Sequence, residues 1–116
     1  MPQFAVLIHV SDSAHAPDAT PEELKECDDD YEALAASGRM SLAYALTPKE
    51  FAKTVRRSGD VEGVHRPDGD VVAGFYVIEA ADIDEAARLA RHNPAVLAGG
   101  AVEIRPVHSG GLVEAP

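Results

Sequence analysis

Gly74-Phe-Tyr-Val-Ile-Glu-Ala-Ala-Asp-Ile-Asp-Glu-Ala-Ala-Arg-Leu-Ala-Arg-His-Asn-Pro94, closed by Ala101-Val-Glu-Ile-Arg-Pro-Val107, is the stretch that decides the fold. It opens inside Val71 to Glu79, the most strand-like run of the chain, dominated by β-branched and aromatic residues. Asp82 then offers an N-cap carboxylate with Glu85 at N3, the reciprocal pattern that starts a helix. Ile83, Ala86, Ala87 and Ala90 form the stripe expected to be buried, and alanines there let a helix approach a sheet closely. Asn93-Pro94 ends that helix, because a residue before proline is pushed out of helical backbone geometry. On the last strand Val102 and Ile104 share one face, leaving Glu103 and Arg105 on the other.

The first half supplies a matching set of elements. Phe4, Val6 and Ile8 fall on one face of an opening strand, Ala5 and Leu7 on the other, so both faces are apolar. A polar loop from Ser11 to Ala19 leads to Thr20-Pro21-Glu22-Glu23, with a capping hydroxyl, a first-turn proline and a carboxylate at N3. The helix that begins there carries Leu24, Cys27, Tyr31 and Leu34 as its apolar stripe and stops at Ser37-Gly38. Arg39 to Leu46 reads as the next strand, broken by Thr47-Pro48. Lys53 to Arg57 and Val61 to His65 read as two short strands joined at Ser58-Gly59-Asp60, and Pro67-Asp68-Gly69 as a turn.

Strand, helix, strand, hairpin, strand, helix, strand is an α+β order. It matches the ferredoxin-like βαββαβ plan with an inserted hairpin: one antiparallel sheet carrying two helices on one face. The other face is then bare although the first and third main strands are apolar on both sides, which predicts a homodimer of the α+β barrel type, sheet against sheet. At 116 residues the chain is expected to be one domain over residues 1–108, with a tail at 109–116.

Ten basic against twenty acidic residues give a formal net charge of −10, which disfavours nucleic acid and anionic membranes as partners. No run approaches the roughly 20 apolar residues of a membrane span, and Met1-Pro-Gln-Phe4 lacks the basic start of a signal peptide. A cytoplasmic location is therefore expected, in keeping with a single cysteine, Cys27, that has no internal disulfide partner.

The order of local signatures across residues 4–107 resembles the YCII-related family, in particular its DGPF-domain branch. The pieces that carry the resemblance are Ser37-Gly-Arg39, Leu46-Thr-Pro48, Thr54-Val-Arg56, Gly74-Phe-Tyr-Val-Ile-Glu79, the Asp-Glu-Ala helix and Val102-Glu-Ile-Arg-Pro-Val107. Asp68-Gly69 matches the start of the Asp-Gly-Pro-Phe motif, whereas Pro-Phe is absent. The resemblance further implies an acid–base pair in other family members, a His on the first helix and an Asp before the proline that follows the second. Matched to this chain, those positions fall at or near Cys27 and at Asn93. Neither is the residue the pair requires.

The side chains able to move protons near neutrality are His9, His15, His65, His92 and His108. His9 is the strongest candidate base, being late in the first strand beside the long loop. His65 and Asp68 flank the inserted turn and are expected to close the same site. Tyr44, Tyr76 and Arg105 are candidate ligand contacts, and Glu103 with Arg105 also reads as an ion pair across the dimer. Cys27 reads as a buried small hydrophobe and Asp28-Asp-Asp30 as a solvated helix face. No spacing of histidines, cysteines or carboxylates points to a metal, no glycine pattern points to a phosphate cradle, and no cofactor is expected. Three functions are compatible with these residues: a binding module for a small organic ligand, a lyase or isomerase moving protons on a cyclic enol or ketone, and a non-enzymatic accessory to a transcription or biosynthesis partner.

Overall fold

A computed structural model describes residues 1–13 and 19–110. In chain order the elements are β1 (Gln3–Val10), α1 (Pro21–Ala36), β2 (Met40–Ala45), β3 (Lys53–Arg56), β4 (Gly59–Glu62), β5 (Val71–Glu79), α2 (Ile83–Ala90), α3 (Pro94–Leu97) and β6 (Ala101–Pro106), with a 3-10 turn at Lys49–Phe51. The main sheet has the order β2-β5-β1-β6, and every neighbouring pair is antiparallel. The chain thus has the ferredoxin-like α+β fold, with β3 and β4 as a separate two-stranded ribbon inserted before β5. No helix among the described residues is long and apolar enough to cross a membrane.

Alternation along β1 and β5 places the core. Phe4 and Val6 pair with Ile78 and Tyr76, and all four are buried on the helix side. Leu34 of α1 and Ala80, Ala86 and Ala90 join them, with Val102 and Ile104 of β6 packed at the edge. Both long helices start as their sequences require. The Thr20 hydroxyl accepts from the Glu23 amide at 3.2 Å and the Asp82 carboxylate from the Glu85 amide at 2.8 Å.

Several expectations shift. Tyr31 is 54% exposed rather than part of the α1 stripe, and Ile83 is 44% exposed, its place in the α2 contact taken by Leu89. Residues 57 and 58 alone form the ribbon turn, since Arg56 already pairs with Gly59. Gly59 makes this possible by adopting φ 131°, a conformation that side chains resist. β4 consequently ends at Glu62 and does not reach His65. The ribbon stands off the sheet and leaves Phe51, Val55 and Val61 exposed. The radius of gyration is 15.3 Å, against the roughly 13 Å usual for this length. Asn93-Pro94 does end α2, but it also begins α3, an element the sequence reading lacks.

Candidate functional site

A cavity of about 580 Å³ opens between the late part of β1, the first half of α1 and α3. Ile8 and Val10 form its floor, and Cys27 and Asn93 stand on its walls. The two positions that the family resemblance assigns to the acid–base pair therefore meet at one cavity. Gly100 lets the wall close, because a Cβ there would collide with the His9 carbonyl and the Val10 side chain. The Ser11–Ser13 loop rims the opening and is tied down at both ends. Asp12 accepts from the amides of Ser13 at 2.7 Å and Lys49 at 2.9 Å, and the Ser13 hydroxyl donates to the Leu46 carbonyl at 2.7 Å.

The chemistry of those walls is quiet. Burial first, then the carboxylates of Asp28, Asp30, Glu26 and Glu23, push the Cys27 thiol above its ordinary value, so it stays protonated and a weak nucleophile. Cys27 is half-buried rather than fully enclosed. Both ends of the Asn93 amide are committed: its oxygen accepts from the Ala95 amide at 2.9 Å, capping α3, and its nitrogen donates to Asp30 at 3.3 Å. Asp30 is the departure here, since it turns inward from the acidic run while Asp28 and Asp29 stay exposed. Burial raises the Asp30 carboxyl, opposed by the Asn93 hydrogen bond and by nearby His92. Three residues after Cys27 and four before Leu34, Asp30 sits on the edge of the apolar stripe, a spacing that could have marked it as inward-facing.

The second depression, about 590 Å³, lies between the sheet end and the ribbon, and both His9 and His65 line it. It shares Ser13, Lys49 and Asp70 with the first cavity. Asp68 is not on its wall, whereas Asp70 is. The His9 Nε2 lies 3.1 Å from a Glu103 carboxylate oxygen, and carboxylates only accept, so Nε2 carries the hydrogen. Glu103 therefore meets His9 within one chain, and Arg105 makes no ion pair among the described residues.

Tyr44 and Tyr76 do not share a region, because Ala43 rather than Tyr44 is the β2 partner of Tyr76. Tyr44 stacks at 5.7 Å on Phe75 on the open face, 62% exposed. Tyr76 is 4% exposed on the helix side, and its hydroxyl has no hydrogen-bond partner among the described residues. Burial, and secondarily the Asp30 charge, raise that phenol strongly. Among the described residues His108 has a hydrogen bond with Ser109, and His15 lies outside them, as do positions 111–116 of the tail. No group of three metal-ligating side chains forms among the described residues.

No curated protein matches the chain. Among solved structures it resembles 5-chloro-2-hydroxyhydroquinone dehydrochlorinase (TftG) from Burkholderia phenoliruptrix AC1100 in complex with 2,5-dihydroxybenzoquinone. Identity is 18%, coverage 93% of this chain and 95% of that one, and the TM-score 0.44. So distant a likeness says nothing about the reaction. The profile of the YCII-related domain, by contrast, matches residues 3–109, nearly the whole sequence and both ends of the sheet. On that match the chain belongs to the YCII-related family.

Proposed function

We propose that this chain binds a small organic molecule in the cavity between β1, α1 and α3, and does so without the acid–base pair of its relatives. The carrying observation is that Cys27 and Asn93 wall one cavity while neither is free for proton transfer: the thiol is held protonated and the amide is spent on Ala95 and Asp30. A volume of about 580 Å³ suits a ligand of one or two rings. Supporting a homodimer is the open face of the sheet, where Leu42 and Tyr44 are exposed with no helix over them. The test is a thermal-shift panel of cyclic enols and ketones, with alkylation of Cys27 as the local readout. Compounds that raise the melting temperature and slow alkylation support the reading, since binding stabilises by mass action. A panel that does neither removes it, and a monodisperse monomer in light scattering removes the dimer.

A second reading, proton transfer on a cyclic enol or ketone, is favoured by the 3.1 Å contact between His9 and Glu103. A carboxylate on one ring nitrogen fixes the tautomer and leaves the other able to accept a proton. Turnover by the wild type that is lost in His9→Ala, with circular dichroism unchanged, would select this reading over the first.

A further inference from the structure

We propose that the depression between the sheet end and the ribbon is a second binding site, and that it takes a small apolar carboxylate. The inference rests on the chain's being a small-molecule binder but not on the cavity beside Cys27. Its first support is charge. The chain carries twice as many acidic as basic residues, yet this wall reverses the ratio: Lys49, Lys53 and Arg66 line it against one carboxylate, Asp70. Arg66 has no ion-pair partner among the described residues, whereas Lys53 is 3.3 Å from Glu62 across the ribbon. Arg66 is therefore the cation with a guanidinium fork to offer a carboxylate.

The second support is a neutral donor beside it. The His65 Nδ1 lies 3.4 Å from the Arg56 guanidinium, which only donates, so Nδ1 accepts and the ring hydrogen sits on Nε2. Arg56 also donates to the His65 carbonyl at 3.3 Å, fixing that residue against the ribbon. The third support is the rest of the wall, where Leu46, Val64 and Val72 are apolar. A bare phosphate would leave that surface wet, and a neutral hydrocarbon would leave Arg66 without a counterion. A carboxylate on a ring or short alkyl body answers both halves.

The experiment is an amide NMR titration of the full chain with benzoate, benzamide and inorganic phosphate. Benzoate is expected to shift the amides of Val64, His65 and Val72, with benzamide and phosphate at least ten-fold weaker. Arg66→Gln should weaken benzoate at least ten-fold and leave the spectrum otherwise intact. Benzamide binding as tightly as benzoate, phosphate doing so, or an undiminished affinity in the variant would each overturn the proposal. Benzoate shifts confined to Cys27 and Ala95 would overturn it too while leaving the binding function standing in the other cavity. Shielding of Cys27 by a neutral cyclic ketone, with no benzoate response anywhere, would likewise reject this site alone.

Discussion

The two long helices lie on the same face of one sheet, yet they pack against it in opposite styles. α2 has eight residues and buries two, Ala86 and Ala90, while α1 has sixteen and buries one, Leu34. Alanines let the α2 backbone pack closely on β6 and β1, in one core with Phe4 and Ile78. α1 fully buries an apolar side chain only near its end, at Leu34, and further toward its start it is also held through polar side chains, Asp30 to Asn93. Where apolar contact runs out, the cavity beside Cys27 begins. One helix provides stability and the other provides room.

That contrast breaks most visibly in the leucines of α1. Leu34→Ala should cost about 2–4 kcal/mol, because a buried leucine truncated in a fixed surround leaves a cavity. Leu24→Ala, half-buried near the start of the helix, should cost under about 1 kcal/mol. Urea denaturation of both variants measures the difference, and equal losses would mean that α1 is seated along its whole length. On α2 the opposite change is informative. Ala86→Leu should cost about 1–3 kcal/mol by overpacking, and Ala87→Leu, half-buried, visibly less. An unchanged midpoint for Ala86→Leu would show the helix free to lift from the sheet.

Tyr76 lies beneath α1 and sharpens the contrast from below. Its hydroxyl is buried without a partner among the described residues, next to the charge of Asp30. Removing an unsatisfied buried hydroxyl while keeping the ring is expected to be neutral or to stabilise by up to about 1 kcal/mol. Tyr76→Phe with a clearly lower midpoint would mean that the hydroxyl is satisfied in solution and anchors α1 after all.

The elements and their caps were legible because each rests on a local rule. Thr20-Pro21 and Asp82-Ile-Asp-Glu85 start their helices, and the β-branched and aromatic run Val71–Glu79 gives β5 to the residue. What was not legible depends on rotation and on partners distant in sequence. Around α1, Asp30 lies about 60° to one side of Cys27 and Tyr31 about 40° to the other. Hydrophobicity alone turns Tyr31 inward. The helix instead rolls toward Asp30, whose carboxyl meets Asn93, 63 residues away in sequence. The candidate site divided the same way: His9 and His65 do come to one wall, but Asp70 rather than Asp68 joins them, since the turn at 67–68 carries Asp68 off the wall. The tie between His9 and Glu103 needed the β1–β6 register, which pairs Leu7 with Glu103 and so puts His9 diagonally across from it.

The smallest expected effect is the most diagnostic of how the helices are held, because their two carboxylates are shifted in opposite directions. Glu85 of α2 is lowered from 4.5, first by the hydrogen bond from the Ala81 amide and then by Arg39. Asp30 of α1 is raised from 3.8 by burial. A lowered carboxyl adds stability that is present above its unfolded value and is lost as pH falls through the folded one. A raised carboxyl does the reverse, its contribution complete below the unfolded value and lost as pH rises through the folded one. Glu85→Gln should therefore destabilise at pH 7, and the loss should shrink as pH falls toward 3. Asp30→Asn keeps an oxygen to accept from Asn93 and removes a charge that burial disfavours, so relative to the wild type it should gain as pH climbs from 3 to 7. Urea midpoints for both variants at the two pH values decide the matter. A flat difference for Asp30→Asn would mean that Asp30 is hydrated like an ordinary surface carboxylate, and one of the same sign as Glu85→Gln would mean that folding stabilises its charge; either outcome would deny that burial raises it.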